Sequence, residues 1–230
     1  MSGKQFKAAQ EKVDPEHKET SLETACSQLK DISFAKFDES VELHMALNID
    51  PRHADQIVRG TLSLPHGTGK ALKIVVIAAE GDLSSLDSSK VLEAGGDEII
   101  EKIQKGWVDF DVLIVTPEMM KKIGKLGRVL GARGLMPSPK NGTVTKDISA
   151  AVDEFFAGKV EYRNDKNGNI HAVVGKLSFD NKKLEENIVA FCEAIKKAKP
   201  AKVKSPYVKS FTICSSMSPG IRLDEQIVLA

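Results

Sequence analysis

The 230-residue chain has no long hydrophobic run: its longest unbroken apolar stretch, residues 74–79, is six residues. A membrane-spanning helix takes about 20, so a membrane span is excluded. The first residues, Met1-Ser2-Gly3-Lys4-Gln5-Phe6-Lys7, lack the apolar centre of a secretory signal, which points to a cytosolic protein. Cysteine is scarce. The three present (Cys26, Cys192, Cys214) form no CxxC pair, so neither a disulfide framework nor a zinc site is supported. An excess of one charge is missing too: 33 Lys and Arg stand against 32 Asp and Glu, a formal net charge of +1. Taken as a total, that balance speaks against a nucleic-acid binder. The length and the 41% of hydrophobic residues suffice for a sizeable core in one or two domains.

The total hides the distribution. Residues 1–67 hold 8 basic and 11 acidic residues, residues 68–159 hold 13 and 13, and residues 160–230 hold 12 and 8. Two windows contain no acid at all. One, over 121–146, carries Lys121, Lys122, Lys125, Arg128, Arg133, Lys140 and Lys146; the other, over 194–223, carries Lys196, Lys197, Lys199, Lys202, Lys204, Lys209 and Arg222. Balanced chains ordinarily intersperse the signs, so paired basic windows are an electrostatic footprint, with a solvated face as the plain alternative.

Periodicity divides the chain by class. Thr20-Ser21-Leu22-Glu23 reads as a capping box, and Leu22, Cys26, Leu29 and Ile32 follow at helical spacing. Val41, Leu43, Met45, Leu47 and Ile49 alternate as a half-buried strand does. Asp50-Pro51 predicts a helix start, with Gly60 closing the helix, and Leu62 and Leu64 suggest a short strand. The middle is different: residues 73–79 and 111–115, apolar throughout after Lys73 and Asp111, read as strands of the kind covered on both faces. They alternate with helical stretches reaching Gly95-Gly96, over 98–105 and from Met119, before a Gly/Pro-rich loop over 131–142. In the last third, strands at 160–163 and 170–174 flank Asn167-Gly168, a strong hairpin signal. A helix carrying Leu184, Ile188, Phe191 and Ile195 and a strand over 207–214 complete the pattern. The expected fold is α/β in two domains: a discontinuous α+β domain from residues 1–67 and 160–230, and an inserted α/β domain over 68–159.

Most candidate chemistry fails on spacing. Gly67-Thr68-Gly69-Lys70 invites a nucleotide-binding enzyme as the alternative reading. A phosphate loop, however, needs GxxxxGK[ST] opening a helix; here Leu64 replaces the first glycine, Ala71 the hydroxyl residue, and a strand follows. Asp109 and Asp111 would share a strand face, but no nucleophile or metal-ligand cluster lies nearby in sequence, so they read as solvated strand-edge acids. His17, His44, His53, His66 and His171 form no HxH or HxxxH pair, and His44 and His171 fall out of phase with the apolar positions beside them. No enzyme, cofactor or metal site is expected. The segment over 125–137 interleaves Lys125, Arg128 and Arg133 with glycines. Glycine permits close backbone approach and positive φ, and the cations neutralise phosphate; a glycine-rich loop shaped for packing is the alternative.

Phe34-Ala35-Lys36-Phe37-Asp38-Glu39-Ser40-Val41-Glu42, Asp50-Pro51-Arg52, Val58-Arg59-Gly60-Thr61 and Leu64-Pro65-His66-Gly67-Thr68-Gly69-Lys70 resemble bacterial large-subunit ribosomal protein one, the family of the mobile stalk beside the tRNA exit site. Gly106-Trp107-Val108-Asp109-Phe110-Asp111, the 125–137 segment, Phe179-Asp180, Lys199-Pro200 and the 217–220 turn are similar to the same family, in order and with matching spacing. The resemblance implies an RNA-recognition-like split βαβ domain with a Rossmann-like insertion, in a cytoplasmic, ribosome-associated protein that is monomeric off the ribosome. Its implied partners are large-subunit ribosomal RNA, exit-site tRNA and its own operon mRNA, whose translation such proteins repress.

By position, the resemblance carries RNA contact to Lys36 and Phe37, to Ser40 and Glu42 on the next strand, to Arg163, Asn164, Asp165, Lys166 and His171 of the hairpin, and to Ser216 and Met217. Lys125, Arg128, Arg133 and Lys140 make a candidate secondary RNA or tRNA contact. Phe37 reads equally as a core residue. Two departures stand out: Ser216 replaces the family's Thr, and Ser218 replaces a Gly, a strain of about 1 kcal/mol if that position needs positive φ. Ala132 and Ser138 deviate mildly.

Overall fold

A computed structural model describes residues 3–13, 20–79, 87, 89–203 and 205–224. The chain divides into two compact units, Met1–Lys70 with Val160–Ala230, and Ala71–Lys159. Among the described residues no helix is long and apolar enough to cross a membrane.

In the unit built from both termini, helix α1 (Lys4–Lys12) buries Ala9, with Val13 just beyond its end. Helix α2 (Leu22–Ile32) buries Ala25, Cys26, Leu29 and Ile32. Its N-cap is Ser21, one residue beyond the expected Thr20, and the Ser21 hydroxyl accepts from Thr24 N–H at 3.4 Å. Strand β1 (Ser40–Leu47) alternates as its sequence does, with Val41, Leu43, Met45 and Leu47 buried. Strands β7 (Asn169–Lys176) and β8 (Val208–Ser215) flank it, both antiparallel, and β9 (Ile221–Arg222) extends the edge. β7 and β8 are therefore parallel to each other, joined through helix α7 (Asn181–Lys197), with β1 lodged between them. That is a split βαβ arrangement. The buried face packs on Leu184, Ile188, Phe191 and Ile195 of α7 and on Leu29 of α2. The other face of β1, carrying Ser40, Glu42, His44 and Ala46, is not sealed in the core.

Within Ala71–Lys159, β3 (Ile74–Ile77) is buried throughout and runs parallel to β4 (Glu93–Gly95) on one side and β5 (Val112–Val115) on the other. Period-2 alternation sends its side chains two ways. Val75 and Ile77 meet Ile99 and Ile103 of α3 (Asp97–Gln104), together with Ile123 of α4 (Met120–Ile123) and Leu130 of α5 (Gly127–Ala132). Ile74 and Val76 meet Ile148, Val152 and Phe155 of α6 (Ile148–Phe156), which Asp147 caps by accepting from Ala150 N–H at 3.3 Å. Burying each such Val or Ile contributes about 1.5–3 kcal/mol.

Four local expectations change. After Asp50-Pro51 a single 3-10 turn, Ala54–Gln56, replaces the helix, and Gly60 lies inside strand β2 (Arg59–Ser63). A Cβ on Gly60 would fall 2.6 Å from the Tyr162 hydroxyl, so close packing selects this glycine rather than helix closure. The Asn167-Gly168 turn forms, with Gly168 at φ +85°, but its strands enter different sheets: β6 (Lys159–Arg163) pairs with β2, and β7 with β1. Asn164 diverts them, bonding Val58 through both its backbone and its side chain. The helical stretch expected before Gly95-Gly96 falls partly outside the described residues, and its end is strand β4. Finally, the start of the Gly/Pro-rich loop is helical, as α5.

Candidate functional site

Two loops far apart in sequence meet at one buried carboxylate. Glu39 is fully covered, and its Oε1 accepts from the Ser33 hydroxyl (2.8 Å) and Ala35 N–H (3.4 Å). Its Oε2 accepts from the Ser215 hydroxyl (2.5 Å) and Met217 N–H (2.9 Å). Burial pushes this carboxyl up, but the four hydrogen bonds, Ser215's foremost, outweigh it and hold the pKa below the ordinary value. Sequence reasoning passed Glu39 over, although a signal was there. Counting back in twos from Leu43 and Val41 puts Glu39 on the core side, where an acid has to be hydrogen-bonded.

This clasp presents its neighbours outward. Lys36 is exposed, and Phe37 and Met217 are 58% and 49% exposed, so Phe37 is not a core residue. Ser40 N–H donates to the Ser216 hydroxyl at 3.1 Å, leaving that hydroxyl its own proton, while Lys176 Nζ donates to the Ser40 hydroxyl at 2.9 Å. Ser218 turns its side chain inward: its hydroxyl accepts from Ser215 N–H (2.8 Å) and closes the turn.

Register brings the hairpin residues alongside. Glu42 stands opposite Val173 on β7, and His44 opposite His171. Arg163 and Lys166 are exposed at the turn. Asp165 is spent on holding that turn, accepting from Asn167 N–H (2.8 Å), Asn169 N–H (2.7 Å) and the Asn169 amide (3.1 Å). These bonds, the Asn169 backbone's first, lower its pKa. Asn164 does not face solvent; it is 8% exposed and accepts from Val58 N–H at 2.8 Å.

His44 and His171, which sequence spacing leaves unpaired, are in contact: their Nδ1 atoms lie 2.8 Å apart, and His44 Nε2 is 3.1 Å from Cys214 Sγ. One ring has to donate and the other accept, so the pair cannot be doubly charged in this geometry. Burial and then His171 lower the His44 pKa, against Glu42. A thiol beside an imidazole is the arrangement of a nucleophile. Here burial and Glu42 push Cys214 up to about 11, the opposite of activation.

Lys125, Arg128, Arg133 and Lys140 are all exposed, in the other unit. Gly124 and Gly127 have helical φ of −50° and −53°, and a Cβ at either, or at Gly131, would meet nothing. Positive φ is needed within this stretch only at Gly134, at +72°. The basic windows are also partly neutralised in space, by Lys122–Asp97 (2.7 Å) and Lys202–Asp55 (2.6 Å). The Gly67–Lys70 loop leads to strand β3 and is held by Asn187, which accepts from His66 N–H and donates to Gly67 O, both at 3.0 Å. Asp109 pairs with Lys73 Nζ at 2.9 Å, and Asp111 accepts from Lys73 N–H at 3.1 Å. His17 lies outside the described residues, and among the described residues no three potential metal ligands converge.

A split βαβ unit with an exposed, clasped surface and a small parallel α/β unit together define a two-unit α/β protein. Its family follows from residues 29–219, which match the model of the ribosomal protein L1p/L10e family; the chain belongs to that family. It is 52% identical over 223 residues to the large ribosomal subunit protein uL1 of Solibacter usitatus, covering 96% of this chain and 93% of that one. It is 49% identical over 226 residues to the protein of the same description from Kosmotoga olearia, covering 98% and 97%. The family is one of structural ribosomal proteins, not enzymes.

Proposed function

We propose that this chain binds large-subunit ribosomal RNA through the face formed by the Glu39-clasped loops, the open side of β1 and the 163–171 turn. The observation that carries the reading is the clasp: one buried carboxylate fixes both loops that expose Phe37 and Met217. Lys36, Arg163 and Lys166 neutralise phosphates, while Ser216 and Glu42 serve as donor and acceptor for 2′-hydroxyls and base edges. Ser40, Asn164, Asp165 and His171 act mainly by holding these groups in place. In the large subunit this chain is the protein of the mobile stalk and takes part in releasing deacylated tRNA from the exit site. There Lys125, Arg128, Arg133 and Lys140 offer the second unit's contact to tRNA or RNA. The same face binds the chain's own operon mRNA and represses its translation.

Affinity for a large-subunit ribosomal RNA transcript tests this. Three phosphate contacts give a log–log salt slope of about −2 to −3, and Phe37→Ala and Met217→Ala each weaken binding while the fold is retained. A flat salt dependence with both variants unchanged would remove the proposal.

A further inference from the structure

We propose that the cleft between α1 and the 217 turn receives an unstacked nucleobase of the bound RNA. This deepens the RNA-binding reading and rests on it. The cleft is open to solvent, has a volume of about 590 Å³ and is lined by Gly3, Lys4, Gln5, Phe6, Phe34 and Met217. Its walls are fixed from outside the cleft. α1 is anchored by Ala9 and Val13, which are 4% and 9% exposed, Phe34 packs against the same core, and Met217 N–H is bonded to Glu39 at 2.9 Å.

The chemistry of the lining selects the occupant. Two phenyl rings and a thioether offer flat, polarisable surface, on which a base stacks with no demand on its sequence. Lys4 lines the cleft, and Lys7, one helical turn on, follows on the same face of α1. The Lys4 ammonium at an aromatic slot, with Lys7 next along the helix, suits a base with its attached phosphates better than an apolar peptide. The cleft also shares Met217 with the face described above, so a strand crossing that face has a slot for a splayed base directly beside it.

Two variants of the full chain test this against the same ribosomal RNA transcript. Phe6→Trp places an indole in the cleft, and the natural Trp107 lies in the other unit, so the unsubstituted chain supplies the background. The expected result is quenching of the new indole emission on RNA binding. Phe6→Ala, with α1 still anchored by Ala9 and Val13, is expected to weaken binding about 5- to 150-fold. Unquenched emission with unchanged Phe6→Ala affinity would overturn the cleft while Phe37→Ala still weakens binding. If Phe37→Ala also binds normally, the RNA-binding reading itself fails. Normal binding of Phe6→Ala to the transcript combined with poor association with large subunits would identify a protein occupant and overturn the proposal.

Discussion

Replacing Glu39 by Gln changes one atom type in a group that accepts four hydrogen bonds. The volume is kept, but one carboxylate oxygen becomes an NH2 that faces donors. If the amide turns toward the 215–217 turn, Met217 N–H loses its acceptor while the Ser215 hydroxyl can rotate to accept. If it turns the other way, Ala35 N–H is stranded. A hydrogen bond to a charged group is worth about 1.5–3 kcal/mol, and an unsatisfied buried donor costs about 1–3. Removing the covered charge returns some desolvation energy. The net expectation is a loss of about 2 kcal/mol, read as a lower urea midpoint for the terminal unit. Because the folded pKa of Glu39 lies below the ordinary glutamate value of 4.5, the stabilisation is complete above pH 4.5 and is lost as pH falls through the folded pKa. Wild type and Glu39→Gln therefore converge as pH falls below 4.5 and through the folded pKa. A variant as stable as wild type at pH 7, or a difference that does not shrink in acid, refutes the clasp.

Three further outcomes follow from the same geometry. His44 has a pKa held below 6.5, so stability is full above that pH and declines as pH falls from 6.5 to the folded pKa; His44→Asn flattens this slope in urea midpoints between pH 7.5 and 5.5, and parallel slopes would contradict the assignment. Gly168→Ala puts a side chain at φ +85° with its Cβ 3.2 Å from Ile49 Cγ1, a cost of about 1–2 kcal/mol from φ alone, and an unchanged melting temperature would show that the turn adapts. The thiols of Cys26 and Cys192 are pushed up to about 12 and that of Cys214 to about 11, so a disulfide thiol reagent at pH 8 labels the native chain slowly and all three sites after denaturation; rapid native labelling would contradict the burial.

Signals carried within a few residues were legible in the sequence. The alternation from Val41 to Leu47 defines β1, and the apolar run at Ile74 to Ile77 defines a strand covered on both faces. Signals whose cause lies elsewhere in the chain were not. Gly60 owes its identity to Tyr162, about a hundred residues on, and looks locally like a helix terminator. The Asn167-Gly168 turn is local and legible, but the partners of its strands are chosen by Asn164 and Val58. At the candidate site, the outward residues Lys36, Phe37 and Met217 came from motif position. Their support did not, because the His44–His171 contact exists only through the β1–β7 register and the Glu39 clasp only through the 215–217 turn.

The most direct test is ultraviolet crosslinking of the chain in intact large subunits, followed by mapping of the attached peptides. Crosslinks to ribosomal RNA at peptides containing Phe37, Met217 and the 163–171 turn are predicted. Crosslinks confined to the Ala71–Lys159 unit would contradict the account.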